Sequence, residues 1–205
     1  MNVILIGYSG HSYVVADILS SQKKNVFAYC DIQEKESNPY DLAYMGNEKE
    51  IAALTKISSN DYFVALGRNS IRKSTLEFLE QKLNKKSINA IHSNACISST
   101  SKLAHGIMIS SSVQINSMCN IGTGVICNTG SIIEHECQIG SYSHIAPGAI
   151  LCGNVKIGEN TFVGAGAIVK QNVTIGDNVT IGAGTVVLAN IPNNSKAVGN
   201  PYRII

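Results

Sequence analysis

The chain has 205 residues, of which 44% are hydrophobic and 15% are charged, and its formal net charge is +2. A chain of this length and composition buries a substantial core in one large or two small domains, which excludes disordered and fibrous proteins. With so few charges, binding to nucleic acid or to an anionic membrane is not expected, and small, roughly neutral partners are favoured.

The N-terminus and the cysteines indicate the compartment. The opening residues MNVILIG lack a basic segment and their apolar run ends at Gly7, so they predict a strand and not a signal peptide. No segment approaches the roughly 18 consecutive apolar residues of a membrane span. The six cysteines include no Cys-x-x-Cys pair, which argues against zinc. We therefore expect a cytoplasmic protein without a metal, whose reduced cysteines pack as small core residues.

Residues 1–90 alternate short apolar runs with helical periodicity. They hold 21 of the 30 charged residues but only 4 of the 18 glycines. This alternation predicts a small parallel sheet built from βαβ units. Strands are predicted at 3–6, 26–29 and 62–66, and helices around 14–19, 48–54 and 71–83, the last one capped by Asn69 or Ser70.

Residues 91–205 follow a different rule, a six-residue repeat with a C-terminal tail. Every sixth residue from Ile91 to Val187 is Ile, Leu or Val, except Cys127, and from Ala95 onwards the residue two positions earlier is small or β-branched. A period of six fits neither a helix nor an ordinary strand but is the hexapeptide signature of a β-solenoid. We expect three hexapeptides per coil, with residues 18 apart stacked about 4.8 Å from each other.

In such a coil the large aliphatic residue points into a triangular prism and the small residue fills a corner. Cys119 and Cys137, 18 residues apart, are expected to stack in this interior as packing residues and not as a disulfide. Glycines that directly follow the aliphatic residue are expected to permit the turns. They are Gly122, Gly140, Gly158, Gly164, Gly176 and Gly182.

The βαβ pattern and the repeat together resemble the hexapeptide-repeat sugar acyltransferases. Segment 128–148, NTGSIIEHECQIGSYSHIAPG, closely resembles the catalytic stretch of the bacterial nucleotide-amino-sugar N-acetyltransferases, such as those of the UDP-N-acetylbacillosamine pathway. The resemblance implies a Rossmann-like α/β domain that binds a nucleotide sugar, followed by an all-β left-handed parallel β-helix. It also implies acetyl-CoA as co-substrate and a homotrimer with active sites between subunits.

His135 is the strongest catalytic candidate. It follows the inward-pointing Ile133 by two residues and therefore lies at a corner or on the outer face, flanked by Glu134 and Glu136. A carboxylate fixes the tautomer of an imidazole and stabilises the imidazolium formed on proton abstraction. We predict that His135 is the general base and Glu136 its orienting partner, as in the His-Glu pair of the family, with Glu134 the weaker candidate.

The 18-residue column supplies further candidates. Gly153 lies one coil from His135, either as a turn glycine or, as the resemblance implies, with its N–H facing the oxyanion of the acetyl thioester. His144 lies half a coil from His135, so the two cannot share a site within one chain. The resemblance implies that His144 contacts acetyl-CoA near His135 of the next subunit, as do backbone groups of Ala165 and Ala183; taken alone, a histidine there is more often structural.

The loop GYSGHS at 7–12 follows the first strand and opens the first helix. Such a loop forms an anion site, although it lacks the dinucleotide fingerprint and a tight turn is the simpler interpretation. The resemblance implies that this chain's substrate-binding residues hold a nucleotide sugar. They are Ser9, Gly10 and His11 for the diphosphate, Asp31 and Gly67 for uridine or thymidine, and Asn128 in the catalytic stretch.

Two arginines follow Gly67 at the start of the last N-terminal helix. Arg68 and Arg72 either pair with phosphate or are solvated residues of the first helical turn.

These observations predict an acetyl-CoA-dependent N-acetyltransferase that acts on the 4-amino group of a UDP- or dTDP-linked 4-amino-4,6-dideoxy sugar in bacterial glycan synthesis. A sialic acid O-acetyltransferase is the nearest alternative. A solenoid carbonic anhydrase needs three histidines on one zinc, and the spacing of His105, His135 and His144 does not suit it. A non-enzymatic β-solenoid binding protein would leave the histidines without a role.

Overall fold

The computed structural model describes residues 2–205, and its first part is a parallel sheet with helices on both faces. Its elements are β1 (Asn2–Ile6), α1 (Gly10–Ser21), β2 (Asn25–Cys30), β3 (Ala43–Tyr44), α2 (Ile51–Ser58), β4 (Asp61–Val64) and α3 (Asn69–Leu83). The strand order of this N-terminal sheet is β3-β2-β1-β4. The three predicted strands and three helices are present, but the two-residue β3 carries no sequence pattern and was not predicted.

Alternation along β1 builds two cores. Val3 and Leu5 pack against α1, whereas Ile4 and Ile6 pack on the opposite face against α2 and α3. Both cores continue into the second part of the chain, because Met108 joins the first core and Tyr142 joins the second. The N-terminal sheet with its helices is therefore packed directly against the repeat region.

The repeat region is a left-handed parallel β-helix of three faces. Face I contains β5 (Ala90–Ile91), β8 (Met108–Ile109), β11 (Ile126–Cys127), β14 (His144–Ile145), β17 (Phe162–Val163), β20 (Thr180–Ile181), β22 (Lys196–Val198) and β23 (Arg203–Ile204). Face II contains β6 (Cys96–Ile97), β9 (Gln114–Ile115), β12 (Ile132–Ile133), β15 (Ile150–Leu151), β18 (Ile168–Val169) and β21 (Val186–Val187). Face III contains β7 (Lys102–Leu103), β10 (Asn120–Ile121), β13 (Gln138–Ile139), β16 (Lys156–Ile157) and β19 (Thr174–Ile175).

The six-residue prediction is confirmed for every strand from β5 to β21. Each expected aliphatic position is the second residue of a strand, and all of them from Ile109 to Val187 are buried. Strands pair with partners 18 residues away, as Asn120 does with Gln138. The last coil is two residues shorter, since Thr180 pairs with Lys196, and this shift ends the repeat.

The glycines that follow the aliphatic residues do not serve the turns, and that prediction was wrong. A Cβ on Gly122 would lie 2.7 Å from the backbone nitrogen of Ser141, and one on Gly140 would lie 2.5 Å from the carbonyl carbon of Gly158. These glycines are required because neighbouring coils approach closely. The left-handed turn residues come two positions later, for example Gly124 with φ of 64°.

The cysteine prediction is confirmed in part. Cys119 and Cys137 are fully buried, and their sulfurs are free. Their thiols donate to the carbonyls of Glu134, at 3.0 Å, and Cys152, at 3.3 Å. Cys96, in contrast, is exposed, because it lies in the first coil with no strand below it.

None of the helices formed by residues 2–205 combines the length and the hydropathy needed to span a membrane.

Candidate active site

His135 projects from the corner where the chain passes from face II to face III. Its Nδ1 lies 3.0 Å from Glu136 Oε2, and the two side chains are 59% and 55% exposed. A carboxylate can only accept, so Nδ1 carries the proton and Nε2 keeps a lone pair. The corner therefore presents a solvent-accessible base whose tautomer is held by its neighbour.

Glu134 points to a different partner. Its Oε2 accepts a hydrogen bond of 2.9 Å from Asn116 Nδ2, in the coil below. The structure thus places Glu136, and not Glu134, beside His135. Asn116 was missed in the sequence, although it lies 18 residues before Glu134 and the column rule could have identified it.

Gly153 lies directly against the imidazole of His135. A Cβ at this position would be 2.5 Å from His135 Cε1 and 2.6 Å from Nε2, so any side chain would displace the ring. The adjacent Asn154 N–H donates to the carbonyl of His135 at 2.8 Å. Within residues 2–205 the Gly153 N–H donates to no protein acceptor. The base and a free backbone donor therefore lie side by side.

His144 belongs to a second group, between face I and the N-terminal sheet. Asn128 Nδ2 lies 3.1 Å from His144 Nε2, and the rings of His11 and His144 are 6.4 Å apart, centre to centre. Phe162, one coil further on, packs edge-on against His144 at 5.1 Å. Gly67 neighbours the His11 ring, since a Cβ added to it would be in van der Waals contact with His11 Cγ, at 3.6 Å. Four residues predicted from the sequence thus meet here, together with Phe162, which was not predicted.

Both histidines of this group are neutral at neutral pH. Burial lowers the pKa of His144 to about 3 and that of His11 to about 4, and the positive charge of Arg72 adds to both shifts. A neutral imidazole offers one donor and one acceptor. The group can therefore orient a polar ligand but does not supply positive charge to it.

Ala165 and Ala183 occupy a third position. Both are exposed at the corner where the chain passes from face I to face II, and the N–H of Gly184 donates to the carbonyl of Ala165 at 2.8 Å. The predicted residues therefore fall at separate places on one chain: the His135 corner, the His144 group, the Ala165 corner and the loop at 7–12 with Asp31. Within the protomer, His144 lies on face I and His135 at the corner between faces II and III.

The loop at 7–12 lies at the carboxyl end of β1 and opens α1. Ser9 and Gly10 are exposed, and a Cβ added to Gly10 would meet nothing within 4 Å. A cavity of about 560 Å³ opens beside them. Its lining consists of Tyr8, Ser9, Gly10, Tyr13 and residues 33–37. Helix N-termini of this kind bind phosphate groups.

Asp31 lies at the end of β2, and its carboxylate is occupied by the protein. Oδ2 accepts from the N–H of Tyr8 at 2.9 Å, Oδ1 accepts from the N–H of Ile32 at 2.7 Å, and Lys35 Nζ is 3.0 Å from Oδ1. These contacts hold the loop that contains Ser9 in place.

Both interpretations of Arg72 were wrong. The side chain is 1% exposed, so it neither pairs with a phosphate in solvent nor is solvated. It turns inward because α3 presents positions 72, 76 and 79 on its buried face. Arg68 remains at the surface, beside a cavity of about 340 Å³ that Phe162 also lines.

Among residues 2–205, no three His, Cys, Asp or Glu side chains are arranged to hold a metal ion.

Two protein families match the chain. Residues 2–79 match the PglD N-terminal domain, and residues 154–189 match the bacterial transferase hexapeptide family of six repeats. A comparison with curated protein sequences found no match.

Solved structures match the full length of the chain. A histidine-to-asparagine mutant of perosamine N-acetyltransferase from Caulobacter crescentus, in complex with CoA and GDP-perosamine, is 31% identical with a TM-score of 0.94, over 100% of this chain and 97% of that one. The acetyltransferase domain of PglB from Neisseria gonorrhoeae, in complex with acetyl coenzyme A, is 29% identical with a TM-score of 0.92, over 100% and 98%. WeeI from Acinetobacter baumannii is 22% identical with a TM-score of 0.83, covering both chains completely, which shows the fold alone.

Proposed function

Because the chain belongs to the hexapeptide-repeat sugar acyltransferases, we propose that this acyltransferase moves the acetyl group of acetyl-CoA to the 4-amino group of a nucleotide-linked 4-amino-4,6-dideoxy sugar. The observation that carries the proposal is the exposed His135–Glu136 pair directly against Gly153. A perosamine N-acetyltransferase that holds CoA and GDP-perosamine shares the whole fold, which supports an amino sugar as the acceptor.

The proposed reaction needs one base and one oxyanion donor. The neutral amine attacks the thioester carbonyl, a C–N bond forms, and His135 Nε2 takes the amine proton. Glu136 stabilises the resulting imidazolium through Nδ1. The Gly153 N–H donates to the oxyanion of the tetrahedral intermediate. The C–S bond then breaks, and the CoA thiolate leaves and receives the proton from His135.

In this proposal the nucleotide sugar binds against the N-terminal sheet. The exposed residues Ser9 and Gly10, at the N-terminus of α1, bind the diphosphate, with the cavity of about 560 Å³ beside them. The sugar then extends toward His11 and Asn128, whose neighbour His144 orients it. The nucleotide is UDP or dTDP in this proposal, and GDP, the nucleotide of the sugar bound by the perosamine enzyme, is the alternative.

The active site is completed by another copy of the chain. Since the His135 corner, the His144 group and the Ala165 corner are separate on one protomer, two copies must face each other to join them. Face II offers the contact, because its outward residues in four successive coils are apolar and the N-terminal sheet does not cover them. They are Ile132, Ile150, Ile168 and Val186. We propose a homotrimer in which acetyl-CoA lies along Ala165 and Ala183, next to His144.

We place the reaction in the cytoplasm. All six cysteines are free, and four of them are fully buried in the core, which is the pattern of a protein kept in a reducing compartment.

A thiol-release assay with acetyl-CoA and a panel of amino sugars linked to UDP, dTDP and GDP tests the function. We expect CoA release with at least one 4-amino-4,6-dideoxy sugar and none with the 4-hydroxy analogue. Release with sialic acid alone would instead support the O-acetyltransferase. Failure to bind acetyl-CoA in calorimetry would support the binding protein, and stoichiometric zinc would support the carbonic anhydrase.

A further inference from the structure

Arg72 is a buried charge that the proposed reaction does not use. It lies in the first turn of α3, is 1% exposed, and has the largest volume of the fully buried side chains. Burial lowers its pKa to about 9, which still leaves it protonated at neutral pH. Among residues 2–205 no carboxylate forms an ion pair with it. Its positive charge is therefore satisfied entirely by neutral acceptors.

The guanidinium donates to acceptors on both sides of the junction between the N-terminal sheet and the β-helix. The contacts on the N-terminal side are Nη1 to the carbonyls of Leu66, at 3.1 Å, and Gly67, at 3.0 Å, and Nη2 to Asn69 Oδ1, at 2.9 Å. The contacts on the β-helix side are Nε to the carbonyl of Gly124, at 2.7 Å, and Nη2 to the carbonyls of Tyr142, at 2.7 Å, and Ser143, at 3.4 Å.

Asn69 extends this set to a third coil. Its Oδ1 accepts from Arg72, and its Nδ2 donates to the carbonyl of Thr161 at 3.2 Å. Arg72 and Asn69, which we call the clamp, therefore tie the loop between β4 and α3 to three successive coils, at Gly124, Tyr142 and Thr161.

The clamp is attached to backbone on both sides of the His144 group. On one side it holds the carbonyl of Gly67, which packs against His11. On the other side it holds the carbonyl of Ser143, the residue before His144. Its charge is also close enough to both imidazoles to contribute to keeping them neutral.

We propose that Arg72 is a positioning residue that fixes the loop between β4 and α3 to the β-helix. It thereby holds His11 and His144 at the spacing that the nucleotide sugar requires. This inference rests on the proposed function, because the His144 group, with His11 and Asn128, is taken as the place toward which the sugar extends. Only arginine fits the position, since its planar fork reaches several carbonyls at once whereas a lysine ammonium is a single point.

The test compares variants that remove the Arg72 guanidinium, the Asn69 amide or the unrelated charge of Lys82. Arg72→Lys keeps the charge, Arg72→Met removes charge and donors, and Asn69→Ala removes only the arm to the third coil. Lys82→Met, in the exposed last turn of the same helix, is the matched control. Steady-state kinetics give KM for the nucleotide sugar and for acetyl-CoA separately, and thermal unfolding gives the stability of each variant.

We expect Arg72→Lys to raise KM for the nucleotide sugar about tenfold and Asn69→Ala to raise it several-fold, with KM for acetyl-CoA within a factor of two. Lys82→Met should change neither constant. A lower Tm with both KM values unchanged, or with both raised equally, would overturn the positioning role and leave a purely structural one. Arg72→Met is expected to raise KM for the nucleotide sugar more than Arg72→Lys does.

A second readout does not depend on the proposed function. Hydrogen exchange of Arg72→Lys should become faster in residues 66–70 and around His11 while the coils of the β-helix stay protected. Unchanged exchange in those segments would contradict the clamp even if no nucleotide sugar were turned over. Wild-type protein that turns over no nucleotide sugar, with exchange changed as expected, would refute the function and keep the clamp.

Discussion

His135→Asn is expected to lower turnover with the nucleotide amino sugar by about 10²-fold to 10⁴-fold, because the amine proton then has no acceptor in place. Asparagine keeps the approximate size of the side chain, and the imidazole is more than half exposed, so the fold should not change. Acetyl-CoA affinity, measured by calorimetry, should stay close to that of the wild type. His92→Asn, in the first coil, is the matched control and should keep full activity.

Variants of the two neighbouring glutamates distinguish a specific contact with His135 from a general effect of negative charge near it. Glu136→Gln should lower turnover roughly tenfold, since a neutral amide stabilises the imidazolium less well than a carboxylate does. Glu134→Gln removes the same charge at a side chain that is hydrogen-bonded to Asn116, and it should have little effect on turnover.

Turnover of His135→Asn within about threefold of wild type would contradict the role of His135 as the base.

Gly153→Ala is expected to lower turnover by about 10²-fold, because the added Cβ would lie 2.5 Å from His135 Cε1 and would push the imidazole away from the reacting amine. The ring is exposed and can move outward, so Tm should fall only slightly. The measurement is turnover in a double-mutant cycle with His135→Asn.

In this cycle Gly153→Ala should cost much less when His135 is already absent, because displacement of the ring then has no consequence. An equal loss in both backgrounds would show that the methyl acts on the oxyanion or on acetyl-CoA binding and not through His135. Wild-type turnover in the single variant would mean that the close packing is unimportant for the reaction.

The β-helix could be predicted from the sequence because each coil repeats the same local rule. The second residue of every strand from β5 to β21 followed from a count of six, and the contact between His135 and Gly153 followed from a count of 18. The same count would have paired Asn116 with Glu134 and His144 with Phe162. The resemblance seen in segment 128–148 is confirmed by the whole-chain match to perosamine N-acetyltransferase.

What the sequence could not predict depends on surfaces that meet across different elements. Arg72 lies in the first turn of a helix and therefore seemed accessible, yet that helix face packs on the β-helix. Gly122 and Gly140 occur at a fixed spacing, which does not distinguish a left-handed turn from a close approach between coils. Counting in sixes also could not predict that β22 lies 16 residues after β20 instead of 18. The residue roles at the candidate site, and the trimer, stay predictions.

The central claim is that His135 of one chain serves the nucleotide sugar held by another. Two variants, each expected to be inactive alone, test it: His135→Asn lacks the base, and Gly10→Trp places a large side chain beside the cavity at the N-terminal loop, where an added Cβ meets no other atom within 4 Å. Each variant carries a different affinity tag, and trimers that contain both are purified after co-expression.

Every such mixed trimer has a single interface that combines an intact base with an intact nucleotide site, so we predict about one third of wild-type thiol release from two inactive parents. Mixed trimers as inactive as their parents would show that base and nucleotide site must lie on the same chain, and would contradict the account.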